Sequence, residues 1–185
     1  EGRTQLSELE SKAILMAFGV PVVETVEATT ASQALVVAES IGFPLVMKIN
    51  SPDITHKTDV NGVRLNIQTA GAIRTTFNEL IADVKAKRPD AAITGVTLQS
   101  MVRHPHGRET MVGVVRDPVF GPAISFGAGG TTVEVMHDSF VSLPPLNRFI
   151  AGQTIERTRI NRLLGAFRNM PPVNREALEN VLLRV

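Results

Sequence analysis

The sequence predicts an α+β (mixed α/β) fold, because helix-like and strand-like patterns are grouped in different parts of the chain. After an opening helix, the first hundred residues follow the order strand, helix, strand, strand, helix, strand. The second half begins with two β-rich runs and ends in helical periodicity. A hydrophobic content of 43% in 185 residues suffices for a sizeable core, in one domain or in two small lobes.

Three segments of the first half carry helical signals. The segment "LSELESKAILMAFGVP" has Ser7 and Glu10 at capping-box spacing, and it stops at Gly19 and Pro21. The segment "TASQALVVAESIGFP" stops at its Gly-Phe-Pro end, and the amphipathic "AGAIRTTFNELIADVKAKRPD" closes at its proline. Four short runs between and after them alternate or are apolar, which predicts strands: "VVETVEA", "LVMKIN", "GVRLNIQT" and "AITGVTLQSMV".

The second half predicts a hairpin followed by helices. Two β-rich runs are joined by "RDPVFGP", in which Asp, Pro and Gly suit a turn. In "GAGGTT" the glycines can form a plain hairpin turn or contact phosphate, and the pattern leaves both open. The last segment, "VNREALENVLLRV", is an amphipathic helix that reaches the chain end without a C-cap signal, so we expect a longer parent protein.

Composition excludes several classes of function. The formal net charge is +1 and neither sign forms a long block, so nucleic acid and membrane surfaces are not expected as partners. The sequence contains no cysteine, which rules out disulfides and cysteine-based zinc sites or nucleophiles. With no apolar stretch of membrane-spanning length and no signal-peptide pattern at the start, the expected location is the cytoplasm.

Lys48 is the first candidate binding residue. Strand alternation in "LVMKIN" puts Lys48 on the face opposite Leu45, Met47 and Ile49. An ammonium group beside apolar neighbours requires a compensating partner, and an anion such as phosphate would serve. The alternative is a lysine that faces solvent or guards a sheet edge.

The loop "SPDITHKTDVNG" directly after this strand is unusually rich in reactive side chains. His56 can act there as a nucleophile for a phosphoryl or acyl group, as a general base or as a metal ligand. Asp53 or Asp59 can accept a proton from one ring nitrogen, and Lys57 can offset phosphate charge. The bland alternative is a hydrogen-bonded surface loop in which such residues organise turns.

Other residues give weaker signals. Gly62 follows Asn61 in a common turn pairing, and its backbone could hold phosphate oxygens. Glu109 opens a strand and is either a surface residue or an acceptor for sugar hydroxyls. No Walker or Rossmann glycine motif occurs. The remaining histidines are expected to be solvated: His104, His106 and His137.

Several motifs in order carry a family resemblance: "FPLVMKINSPDITHKTDVNGVRLNI", "VTLQSM", "RDPVFGP", "FGAGGTTVEV" and "LPPLN". Together they resemble the ATP-grasp domain of the NDP-forming acyl-CoA synthetases, the acetate–CoA ligase (ADP-forming) group related to the β subunit of succinyl-CoA synthetase. The resemblance runs from about Leu6 to the chain end. The same domain occurs in bacterial protein-lysine acetyltransferases, fused to a GNAT domain.

The resemblance implies an ATP-grasp fold that holds ATP or ADP between two lobes. The implied organisation is an N-terminal helix over 1–21, a lid lobe over 22–98 and a second, C-terminally incomplete lobe over 99–185. Lys48 matches the lysine that contacts ATP phosphates, and the loop containing Ser51 and Gly62 matches the phosphate-covering loop. The three residues matching the hinge whose backbone binds adenine are Gln99, Ser100 and Met101.

For the chemistry, the resemblance implies a phosphoryl relay. His56 falls on the histidine that is phosphorylated transiently while it passes a phosphoryl group to ADP, and Glu109 matches the acidic position near the ribose. CoA-binding and CoA-ligase domains, on the same or a partner chain, are the implied partners. The family's Mg²⁺ ligands follow the last helix, so they are expected beyond Val185, and the fragment alone is expected to be inactive and to bind nucleotide weakly.

One departure from the family pattern keeps other functions open. Asn61 stands where the synthetases more often have glycine, and a side chain there restricts the backbone. Some fused acetyltransferases also vary at this position. The alternatives to a catalytic domain are therefore a regulatory ATP-grasp domain of a GNAT-family acetyltransferase and a non-catalytic interaction module.

Overall fold

The computed structural model describes residues 6–130 and 137–185. The chain divides into two compact units, each with its own sheet and helices, which confirms the α+β class. Unit 1 comprises Glu1–Ala13 and Pro21–Val102, and unit 2 comprises Ile14–Val20 and Arg103–Val185. The finer organisation into helix, lid lobe and second lobe stays a prediction.

Helix α1 (Glu8–Ala17) begins at the capping box that the sequence predicts. The backbone N–H of Ser7 donates to the Glu10 carboxylate at 2.8 Å, and the backbone N–H of Glu10 donates to the Ser7 hydroxyl at 3.2 Å. These two bonds satisfy donors that a helix start leaves free. No residue of α1 is fully buried.

Besides the first part of α1, the described residues of unit 1 form a four-stranded antiparallel sheet and two helices. Its strands are β1 (Thr25–Ala28), β2 (Leu45–Asn50), β3 (Val63–Ile67) and β4 (Gly95–Ser100), in the spatial order β1-β4-β2-β3. Its helices are α2 (Ala31–Ile41) and α3 (Ala70–Lys87). The predicted order of elements is therefore confirmed, and the run "LVMKIN" coincides with β2.

One face of this sheet packs against α2 and α3. Leu45 and Met47 of β2 and Leu98 of β4 are fully buried in a core with Ile73 and Leu80 of α3. Alternation along the strands leaves the opposite face for polar side chains. The functional candidates of unit 1 lie on that polar face and in the loop after β2.

Within its described residues, unit 2 has a three-stranded antiparallel sheet and three helices. Its strands are β5 (Thr110–Asp117), β6 (Gly121–Ala128) and β7 (Ser139–Ser142), and its helices are α4 (Arg148–Glu156), α5 (Asn161–Leu164) and α6 (Arg175–Arg184). Phe126, Ile155 and Leu182 lie at the centre of its core. The end of "GAGGTT" and the residues after it, 131–136, lie outside the described residues.

The predicted hairpin at "RDPVFGP" joins β5 to β6. The Asp117 carboxylate accepts hydrogen bonds from the backbone N–H groups of Phe120 and Val119, at 2.9 and 2.8 Å. These bonds favour the ionised form and lower the pKa of Asp117 below its ordinary value. Gly121 closes the turn with φ of 77°, a conformation that favours glycine.

Asp138 is the buried anchor of the segment before α5. Its two carboxylate oxygens accept hydrogen bonds from the backbone N–H groups of Arg159 and Ile160, each at 2.6 Å. Asp138→Ala should lower the free energy of unfolding by about 2–4 kcal/mol, because it leaves two backbone donors without a partner. Urea denaturation measures this loss.

The matched control is Asp90→Ala, because the Asp90 side chain is 77% exposed and its contact with Arg88 is 3.8 Å long. Substitutions of this kind usually change stability by less than about 0.5 kcal/mol. Equal effects of the two substitutions would contradict the anchoring role of Asp138.

Candidate functional site

The register of unit 1 brings the polar side chains together on one face of the sheet. Lys48 of β2 pairs with Thr97 of β4, and Gln99 of β4 pairs with Thr25 of β1. Residues directly opposite each other in an antiparallel pair share a face. The buried Thr97 hydroxyl has no hydrogen-bond partner among the described residues. These four side chains form the floor of the candidate site.

Lys48 forms an ion pair with Glu8, the anionic partner that its position on an apolar strand requires. Its Nζ lies 2.7 Å from Oε1 of Glu8 and donates to Oε1 of Gln99 at 3.1 Å. The Lys48 side chain is 22% exposed, so the ammonium group is partly withdrawn from water. Lys48 therefore points onto the polar face of the sheet and does not extend freely into solvent.

Two further lysines approach the same carboxylate. Lys12 Nζ lies 3.2 Å from Oε1 of Glu8, and Lys57 Nζ lies 3.6 Å from Oε2. Lys12 also donates to Oε1 of Gln99 at 2.9 Å and to the Thr25 hydroxyl at 2.6 Å. We call Lys12, Lys48 and Lys57 the lysine cluster. With Glu8 ionised, the cluster keeps two positive charges in excess.

The lysine cluster changes the acidity of Glu8. Burial by itself raises the pKa of this carboxyl. The hydrogen bonds and charges of Lys48 and Lys12 together lower the pKa by more than burial raises it, so the net pKa is below its ordinary value. Glu8 is therefore ionised at neutral pH. Its stabilising contribution is present above the pKa of the unfolded chain and is lost as the pH falls through the lowered pKa of the folded protein.

The loop at 51–62 is anchored at several points. Ile54 and Val60 are buried against Ile49 of β2 and Val84 of α3. The backbone N–H of Ala92 donates to the carboxylate of Asp53 at 2.7 Å, and Lys87 Nζ donates to the backbone carbonyl of Asp59 at 3.2 Å. Two apolar residues of the loop are thus packed against the rest of unit 1, while most of its polar residues remain exposed.

His56 lies on the exposed part of this loop, directly before Lys57 of the cluster. The Asp53 carboxylate, a candidate for orienting the ring, instead accepts from Ala92. The structure gives the His56 ring no hydrogen bond to any residue of the described ranges. The ring is therefore accessible, and an orienting aspartate stays a hypothesis.

Gly62 ends the loop in a buried, crowded position. A Cβ atom there would lie 2.7 Å from Cγ2 of Ile49 and 2.7 Å from the backbone oxygen of Lys57. The Gly62 N–H also donates to that oxygen, at 2.7 Å, which ties Gly62 to the residue beside His56. Glycine is thus required by close packing of the backbone.

Gly62→Ala should lower the free energy of unfolding by about 1–3 kcal/mol, because the added methyl group forces β2 and the loop apart. Urea denaturation measures the change. The control is Gly71→Ala in α3, where a Cβ would meet nothing within 4 Å, and there alanine should stabilise the helix. A Gly62→Ala protein as stable as wild type would contradict the packing argument.

The other predicted nucleotide contacts of unit 1 lie near the cluster or at the end of β4. The Ser51 hydroxyl accepts from the backbone N–H of Asp53 at 3.2 Å. The Gln99 side chain joins the lysine cluster, while Ser100 pairs with β2 in the ladder. The Met101 N–H donates to the carbonyl of Pro44 at 3.0 Å, and the Met101 carbonyl accepts no hydrogen bond from the described residues.

Glu109 belongs to unit 2, where it is exposed and lies beside the glycines of the "GAGG" run at 127–130. Its backbone carbonyl accepts from the N–H of Gly129 at 2.8 Å. Its carboxylate lies against Gly130, since a Cβ on that glycine would be 2.1 Å from Oε2 of Glu109. At least two of the glycines in "GAGG" thus allow close approach to Glu109, and the ribose role of Glu109 stays a prediction.

Sequence reasoning missed Glu8 and Lys12 as members of the site. Their spacing of four residues, with the glutamate first, is the favoured order of a helical ion pair and was the one available signal. That spacing predicts only a local pair. The contacts of Glu8 with Lys48 and of Lys12 with Gln99 span 40 and 87 residues, so they depend on the folded unit.

The remaining candidates add no chemistry to the site. His104, His106 and His137 are exposed, as predicted. Within the described ranges, no group of three or more His, Cys, Asp or Glu side chains is arranged to hold a metal ion. Among the helices that the structure describes, none has the length and hydropathy needed to cross a membrane.

Comparison with known proteins identifies the family. Residues 1–185 match a family described as an ATP-grasp domain. This chain is an ATP-grasp domain. It is 38% identical over 180 residues to the β subunit of acetate–CoA ligase (ADP-forming) I from Pyrococcus furiosus, a match covering 97% of this chain and 77% of the relative. The family resemblance drawn from the ordered motifs is thereby confirmed.

Solved structures agree with the assignment of this ATP-grasp domain. Acetyl-coenzyme A synthetase 1 of Ca. Korarchaeum cryptofilum, in complex with coenzyme A and Ca-AMPCP, matches with a TM-score of 0.94 and 37% identity, over 99% of this chain and 79% of that chain. The same enzyme with coenzyme A and Mg-AMPPCP has a phosphohistidine segment pointing towards its nucleotide binding site. That structure matches with a TM-score of 0.82 and 33% identity, over 99% of this chain and 78% of that chain.

Proposed function

We propose that this chain is the nucleotide-binding ATP-grasp domain of an ADP-forming acyl-CoA synthetase and transfers a phosphoryl group between a phosphohistidine and ADP. The observation that carries the proposal is the lysine cluster on the polar face of unit 1, adjoined by the loop that presents His56. The homology to ADP-forming acetate–CoA ligase β subunits supports the same reaction class.

The lysine cluster supplies the charge that a nucleoside diphosphate or triphosphate needs. Lysine ammonium groups are compact donors that bind phosphate as point charges. Three such groups lie within 3.6 Å of one carboxylate, so they already converge on a single anion. In phosphoryl transfer, positioning and neutralisation of charge supply most of the acceleration. We assign this work to Lys48 and to Lys57, which lies in the loop directly after His56.

His56 is the proposed carrier of the phosphoryl group. In the forward direction, a terminal oxygen of ADP attacks the phosphorus of phosphorylated His56, the nitrogen–phosphorus bond breaks, and the imidazole leaves with one proton as ATP forms. An exposed ring suits this role, because the phosphoryl group must arrive from a donor outside the ADP site. The neighbouring Lys57 can stabilise the charge of the phosphorylated ring.

The rest of the nucleotide is assigned by family likeness and local chemistry. We propose that Ser51 and Gly62 belong to the loop that covers the phosphates. We assign adenine to the hinge at 99–101, where the Met101 carbonyl accepts no hydrogen bond from the described part of the chain. We assign the ribose hydroxyls to Glu109.

Magnesium is proposed only as the companion of the nucleotide, as in the relative solved with Mg-AMPPCP. In the part of the chain that the structure describes, no group of three or more His, Cys, Asp or Glu side chains is placed to hold a metal ion. No ligand is therefore assigned, and no step of the proposed reaction depends on one.

The proposed partners are CoA-binding and CoA-ligase domains, on the same or a second chain. The relative from Pyrococcus furiosus is named as a β subunit, and the relative from Ca. Korarchaeum cryptofilum was solved with coenzyme A. Such domains would generate the phosphoryl donor, and we propose the cytoplasm as the place of reaction. No specific observation favours the acetyltransferase or the interaction-module alternative.

The direct test is acyl-CoA-dependent formation of ATP from ADP and phosphate by the full-length protein with its CoA-ligase domains. We expect ATP to form only when acyl-CoA, phosphate and ADP are all present. ADP binding with no ATP formation, whichever short-chain acyl-CoA is offered, would contradict the synthetase assignment and favour a regulatory domain.

A further inference from the structure

Glu8 holds a position in the lysine cluster that the proposed reaction does not use. One carboxylate lies against the ammonium groups of Lys48, Lys12 and Lys57, at 2.7, 3.2 and 3.6 Å. Oε1 contacts Lys48 and Lys12, and Oε2 contacts Lys57, so this one anion has three ammonium partners, as a phosphate group would. The carboxylate and a nucleotide phosphate therefore compete for the same donors.

We propose that Glu8 is an internal counter-ion that occupies the phosphate position and is displaced by the nucleotide, after which Lys12 becomes a second phosphate-binding lysine. This inference rests on the proposed function, because it takes the lysine cluster as the phosphate site. It adds two residues of α1 to that site and makes nucleotide affinity depend on displacement of the Glu8 carboxylate.

Release of Glu8 requires little apolar surface to be given up. Helix α1 buries no residue, and the side chains of Glu8 and Lys12 contact residues of the sheet strands. Retaining Glu8 beside bound phosphates would set like charges a few ångströms apart, which is unfavourable where the lysines are partly withdrawn from water. Displacement of Glu8 removes that repulsion and leaves the three ammonium groups available to the nucleotide phosphates.

Lys12 is held in place independently of Glu8. Its Nζ donates to the Thr25 hydroxyl at 2.6 Å and to Oε1 of Gln99 at 2.9 Å. Both acceptors lie on sheet strands, so these two bonds can keep the ammonium group near the site after the carboxylate has moved. Lys48 shares the Gln99 acceptor, which sets the two ammonium groups side by side.

The competition has a measurable consequence. If the site is free of Glu8 in one molecule in ten, the apparent ADP affinity is reduced about tenfold relative to a site that is always free. Glu8→Gln removes the competing charge and should tighten ADP binding about tenfold. Adenosine carries no phosphate, so its affinity should not change.

The experiment is calorimetric titration of the full-length protein, as wild type, as Glu8→Gln and as the control Glu39→Gln, with ADP and with adenosine. Glu39 is exposed on α2, so its substitution matches the charge change without touching the cluster. Tighter ADP binding by Glu8→Gln alone supports the inference. ADP binding by wild type that is unchanged or weakened in Glu8→Gln overturns the inference while the proposed function stands. No ADP binding by either protein overturns both.

A second substitution tests the role of Lys12 and does not depend on the stability of Glu8→Gln. Lys12→Gln should weaken ADP binding about tenfold, while the control Lys85→Gln, at an exposed position of α3, should not. If Lys12 serves only to hold Glu8, its removal would instead leave ADP affinity unchanged or raise it. Either of those results overturns the assignment of Lys12 as a phosphate ligand.

Discussion

His56→Asn is expected to abolish acyl-CoA-dependent ATP formation, with a loss of about 10³-fold or more in turnover. The asparagine amide cannot form the nitrogen–phosphorus bond, so the covalent route is closed and no neighbouring group replaces it. ADP affinity should change little, because the exposed ring makes no hydrogen bond to the described residues. Turnover in the coupled assay and ADP binding by calorimetry together separate the two effects.

The matched control for this substitution is His104→Asn. His104 is also an exposed loop histidine, and its backbone carbonyl, which substitution leaves unchanged, accepts from Gly107 at 2.9 Å. Its substitution should leave turnover within about twofold of wild type, since surface changes have small effects. A His56→Asn enzyme that retains normal turnover would remove the histidine from the reaction.

Lys48→Met is expected to weaken ADP binding about 30-fold, which corresponds to roughly 2 kcal/mol. Methionine keeps much of the apolar stem but removes the charge that lies closest to Glu8, at 2.7 Å. Lys12 and Lys57 remain, so binding should be reduced and not lost. The effect should shrink as ionic strength rises, because the cluster is partly exposed and screened by salt.

Lys85→Met provides the control for Lys48→Met, because Lys85 lies in the last turn of α3 and is exposed. It removes the same charge from unit 1 and should leave ADP affinity near that of wild type. If both substitutions weaken ADP binding equally, the contribution is a general charge effect and not a contact with phosphate.

Local sequence signals predicted the elements of unit 1 well. Alternation and apolar runs set β2 at "LVMKIN", and the spacing of Ser7 and Glu10 set the start of α1. These features depend on neighbours a few residues apart, which a single sequence displays. The loop between β2 and β3 was also recognisable, because few plain connections carry so many polar side chains.

The composition of the lysine cluster could not be predicted in the same way. Lys48 stood out because its strand is apolar, but its partner Glu8 lies 40 residues away, on a helix whose position depends on tertiary contacts. The backbone of Gln99 was predicted to bind adenine, but the structure also shows its side-chain oxygen accepting hydrogen bonds from two lysines. Helical or strand periodicity carries no information about such contacts between elements.

The most direct measurement of the central claim is transfer of labelled phosphate from [γ-³²P]ATP to the full-length protein. We predict an acid-labile, base-stable label on the peptide containing His56, lost when ADP is added and absent from His56→Asn. Label on a different residue of this chain, or label that persists in His56→Asn, would contradict the account.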